Sequence, residues 1–145
     1  MILHTASEVV SLVRKLETES AEFYKNIAGQ YGNDASTVQP FPDENLKNIK
    51  QVERAYYGSI SDALEGGFAF ELEADNYTFD TELANDSGYP AALEKAIAIE
   101  KLITALYTDT GKSQTLMADV QRVFKILARK RAERIQKLES LLKEA

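Results

Sequence analysis

"ETESAEFY", residues 17–24, and "EKLITALY", residues 100–107, each set a glutamate seven residues ahead of a tyrosine. Two turns of an α-helix take about 7.2 residues, so each glutamate shares a helix face with its tyrosine. The flanking apolar residues keep the same period. Thr5 can cap the first segment, with Glu8 closing a capping box three residues on; Val9, Val13, Leu16, Ser20, Tyr24 and Ile27 then form the stripe, which stops near Gly29 to Gly32. The other unit follows Pro90, which suits a first helical turn, and carries Leu93, Ala96, Ile97, Ile103 and Tyr107.

Each of these segments precedes another helical stretch. After "NDASTVQPFP", a loop by its two prolines and turn formers, Asp43 offers a cap. Leu46, Ile49, Val52, Tyr56, Ile60 and Ala63 line one face of a second helix, ended by Gly66 and Gly67. The turn "TDTGKS" leads to a fourth helix on Val120, Phe124, Leu127, Ile135, Leu138 and Leu141. Between the halves, Phe68, Phe70 and Leu72 alternate before polar turn residues take over, and this aromatic-bearing stretch is expected to run along the bundle as a crossover. The fold class is therefore all-α, an antiparallel four-helix bundle of two hairpins in one domain over 1–145. Helices are expected at about 5–29, 43–65, 90–108 and 113–143, with the crossover at 66–89.

Composition narrows the function. The 145 residues are 44% hydrophobic, enough for one compact core, and a net charge of -6 argues against a nucleic-acid or anionic-membrane surface. No cysteine is present, which excludes disulfides, thiolate metal sites and thiol catalysis. The single histidine, His4, precedes the first helix without a matched acidic partner and is expected at the surface. "MILHTASEVVSLVRKLE" lacks a basic region followed by an unbroken apolar run, so neither export signal nor membrane span is expected, and a cytoplasmic location follows.

Helix two reads Leu46, Ile49, Glu53, Tyr56 at offsets 0, 3, 7 and 10, and helix four reads Phe124, Leu127, Arg131, Arg134 at the same offsets. With the paired Glu-x6-Tyr units, this pattern resembles the ferritin-like superfamily and its rubrerythrin-like branch, over about Leu12 to Leu142. The resemblance implies a di-iron carboxylate bundle in which helices one and three each supply a glutamate and helices two and four each a Glu-x-x-His pair. Glu17, Glu100 and Glu53 match three of these ligands, while Tyr56 stands for one histidine and Arg131 and Arg134 for the last pair. Arginine has no lone pair to donate, so such a site is degenerate.

Three glutamates facing two arginines leave about one negative charge, neutralised if one carboxyl keeps its proton. The expectation is a buried network in which Arg131, Arg134 and Tyr56 replace the metals, with Tyr24 and Tyr107 as pocket aromatics. No cofactor is then needed and no catalytic residue is assigned, leaving a binding or assembly role, with a homodimer as the expected partner state. Two alternatives stand beside it. A rebuilt carboxylate site on Glu17, Glu53 and Glu100 would hold iron or manganese for oxidoreductase chemistry. Or the cations of "LARKRAERIQKL", residues 127–138, all face solvent while Ala128, Ala132 and Ile135 carry the apolar stripe.

Overall fold

The computed structural model describes residues 1–60, 72–83, 88–113 and 118–145. Four helices dominate them: α1 (Ala6–Tyr31), α2 (Phe41–Ile60), α3 (Tyr89–Gly111) and α4 (Ala118–Glu144). Two residue pairs, β1 (Ile2–Leu3) and β2 (Leu72–Glu73), form a small antiparallel ladder, Ile2 opposite Glu73 and Leu3 opposite Leu72. The class is all-α, as the apolar period indicates.

Thr5 caps α1 as its sequence predicts: the hydroxyl accepts from the Glu8 backbone N–H at 3.1 Å, and Glu8 Oε1 accepts from the Thr5 backbone N–H at 3.1 Å. His4 is half-buried beside this box and donates its own backbone N–H to the same carboxylate at 3.0 Å. The helix outlasts Gly29 and ends at Gly32, whose φ of 58° lies where side chains are strained and glycine is not. The "NDASTV" stretch is a 3-10 segment (Gly32–Val38) rather than an irregular loop, and α2 starts at Phe41, ahead of Asp43, because Pro42 is tolerated in a first turn.

Two expectations about helix faces change. Leu46 is 48% exposed, and the buried side of α2 is Phe41, Asn45, Asn48, Ile49, Val52 and Tyr56. On α4, Ala132 is exposed and the buried seam is Val120, Phe124, Leu127, Arg131, Arg134 and Leu138. Its steps of four and three are those of a helix packed along one face, and two arginines hold adjacent places in it. Ala63, Gly66, Gly67, Phe68, Phe70 and the first turn expected for the fourth helix after Ser113 lie outside the described residues.

One apolar cluster draws on all four helices, and α1 packs chiefly on α2 and α3 chiefly on α4. The α3–α4 approach is close at Gly111, where a Cβ would meet the Lys125 side chain at 3.3 Å. The described part of the crossover follows α3 from its end to its start: the Tyr77 hydroxyl donates to Asp109 Oδ2 at 2.6 Å, and Lys95 Nζ donates to Asp80 Oδ2 at 3.3 Å. Among the described residues no helix is long and apolar enough to cross a membrane.

Candidate functional site

Helical spacing places Glu17 and Tyr24 on one face of α1 and Glu100 and Tyr107 on one face of α3, and the two faces meet. The Tyr24 hydroxyl donates to Glu100 Oε1 at 2.6 Å, and the Tyr107 hydroxyl donates to Glu17 Oε1. Position 17 thus pairs with 107 and 24 with 100, ascending in one helix as it descends in the other, so α1 and α3 run antiparallel. Both phenols and both carboxylates are fully buried.

Between the carboxylates lies the Arg131 guanidinium. Its Nη1 donates to Glu100 Oε1 at 2.5 Å and Oε2 at 2.6 Å, and its Nη2 donates to Glu17 Oε2. Arg134, one turn further along α4, donates from Nη1 to Glu100 Oε1 at 3.1 Å and from Nη2 to Glu44 Oε1 at 3.1 Å. Charge-assisted bonds of this kind are stronger than neutral ones. The Phe41 ring covers Arg134, its centroid 4.2 Å from the guanidinium carbon, a favourable cation–π distance.

Asn45 joins the network from α2, and nothing in the apolar pattern marks it. Its Oδ1 accepts from Arg134 Nη1 at 2.8 Å and Arg131 Nη2 at 3.2 Å, while its Nδ2 donates to the Glu17 carbonyl oxygen at 3.1 Å. The α2 partner of Arg131 and Arg134 is therefore Asn45, and Asn48 one turn further along is also buried.

Glu53 is not part of this group. It lies eight residues beyond Asn45, about 12 Å along the axis, and its carboxylate takes a hydrogen bond from Arg14 at the partly exposed α1–α2 surface. Tyr56 is in the apolar core, its ring 5.1 Å from that of Tyr57. The charge count changes accordingly: two buried carboxylates face two guanidiniums, and no carboxyl must keep a proton. Glu53→Ala should lower stability by less than about 1 kcal/mol, the ceiling for most exposed pairs, in urea unfolding at neutral pH.

Electrostatics favour the charged forms of Glu100 and Arg131. Burial pushes Glu100 up, but the charges of Arg131 and Arg134 and the hydrogen bonds of Arg131 and Tyr24 outweigh it and hold the carboxyl below its ordinary range. Burial lowers the Arg131 value, yet Glu100 and Glu17 together raise it far above that of free arginine. Tyr24 and Tyr107 are pushed well up, first by burial and then by the carboxylates they bond, so both remain neutral donors.

A pair of irons of the rubrerythrin kind does not fit these residues. Of Glu17, Glu53 and Glu100, Glu17 and Glu100 alone converge, their oxygens are engaged by guanidinium and phenol donors, and guanidinium groups lie between them. Among the described residues no three of His, Cys, Asp or Glu are grouped to hold a metal ion. No family model, curated protein or solved structure matches this chain, so the site's chemistry rests on its own geometry.

Proposed function

We propose that this chain is a ferritin-like bundle of the rubrerythrin-like kind in which an arginine–carboxylate network stands in place of the metal centre, and that its role is non-catalytic, in binding or assembly. One observation carries the reading: Arg131 bridges Glu17 and Glu100, the glutamates that match the single ligands of the family's first and third helices. Two others support it. The α1 and α3 glutamates each take a hydrogen bond from the other helix's tyrosine, and Asn45 of α2 bonds both arginines of α4 beside them. A guanidinium is permanently cationic and donor-only, so it supplies the charge balance of a metal without an open coordination position or a redox couple.

The test is elemental analysis of protein expressed with added iron and manganese, dialysed and assayed for peroxide consumption. Metal well below one ion per chain and no turnover are expected. Stoichiometric metal that survives dialysis would overturn the reading.

A further inference from the structure

The outer side of the network opens into a groove between α2 and α4. Lys47 and Asn48 approach it from one helix, Lys130, Glu133, Arg134 and Lys137 from the other, and Phe41 forms an apolar wall. Its volume of about 310 Å³ suits a small molecule. The three lysines are exposed and make no ion pair among the described residues, so the mouth is locally cationic although the chain is acidic. Glu44 and Glu133 offset part of that charge.

One polar side chain in the groove is available to an occupant. Asn48 is 7% exposed, lines the groove, and makes no hydrogen bond among the described residues. Arg131 lies at the groove floor. A carboxylate is already seated there: Glu44, whose side chain is 48% exposed, reaches over the rim to place Oε1 3.1 Å from Arg134 Nη2. With Phe41 covering one face of that guanidinium, acceptors are directed towards its edge, where a flat carboxylate matches the fork of N–H groups.

We propose that the α2–α4 groove binds a small carboxylate anion, which displaces Glu44 from Arg134 and accepts a hydrogen bond from the Asn48 amide. Lys130 and Lys137 draw the anion in, and Phe41 packs on its carbon skeleton. This site uses groove residues alone and holds whether or not the bundle is of ferritin-like descent.

Succinate is the probe, titrated calorimetrically into the 145-residue chain at low ionic strength against a chloride control of matched ionic strength. Saturable binding at one site per chain is expected. Glu44→Gln removes the internal competitor and should tighten binding on the order of ten-fold, while the exposed double variant Lys130→Glu, Lys137→Glu should weaken it about ten-fold or more. Lys25→Glu, on the far surface of α1, should leave it unchanged. Circular dichroism confirms that each variant is folded. Absence of saturable binding in both wild type and Glu44→Gln would overturn the proposal, as would an affinity indifferent to Glu44→Gln. Inorganic phosphate binding more tightly than succinate would overturn its assignment to carboxylates. Metal content does not enter this readout, so its failure is distinguishable from failure of the metal-replacement reading.

Discussion

Arg131→Ala is expected to destabilise the fold by about 3–5 kcal/mol, the range for breaking a buried ion pair by deleting one partner. For a domain of this size that is a drop of roughly 10–15 °C in Tm. The cause is what remains behind: Glu17 and Glu100 are both fully buried, and with Arg131 gone Glu17 keeps only the Tyr107 hydroxyl while Glu100 keeps Tyr24 and one bond from Arg134. Arg131→Lys should recover only part of the loss, because one ammonium cannot present parallel donors to two carboxylates. Arg134→Ala should cost less, since its second partner, Glu44, is half exposed and rehydrates. Arg129→Ala, on the exposed side of α4, should change stability by less than about 0.5 kcal/mol. Urea unfolding of the four variants at neutral pH is the measurement; a loss below about 1 kcal/mol for Arg131→Ala would mean that the carboxylates are not held as buried anions.

Large parts of this arrangement are legible in the amino-acid sequence. Helix existence followed from long apolar periods, and Glu17, Tyr24, Glu100 and Tyr107 were found because seven-residue spacing constrains direction whatever the residue type. Register on α2 was not legible. Counting from Leu46 as a core position made Glu53 and Tyr56 the counterparts of Arg131 and Arg134, yet Leu46 is on the solvent side and Asn45 is buried. A buried asparagine carries no apolar signal, and its burial is stabilised by hydrogen bonds to groups on α1 and α4 that only tertiary packing supplies. The same logic explains the missed β1–β2 pair: two residues on each side are too few for an alternating pattern, and their register is set by where the crossover returns to the start of α1.

The network also sets a pH window. Glu100 is held below its ordinary value of about 4.5, so the unfolded chain takes up a proton there before the folded one does. Its contribution is full above about pH 4.5 and is lost as pH falls through the depressed folded value, at about 1.4 kcal/mol per pH unit while one proton is linked to unfolding. Once protonated, Glu100 leaves Arg131 and Arg134 buried with one anion fewer, and cooperative acid unfolding should follow. Other depressed carboxyls, such as Glu8 in the α1 cap, share the acid limb, so the test is a difference. Stability measured from pH 7 down to pH 3 should fall more steeply in wild type than in Glu100→Gln, a variant less stable at pH 7 but without that proton. At the other end the sign reverses. Tyr24 and Tyr107 have folded values raised well above the ordinary value of 10, so their contribution is full below about pH 10 and is lost as pH rises and the unfolded phenols ionise first. Parallel acid limbs for wild type and Glu100→Gln would show that Glu100 is not the buried anion through which Arg131 and Arg134 are held.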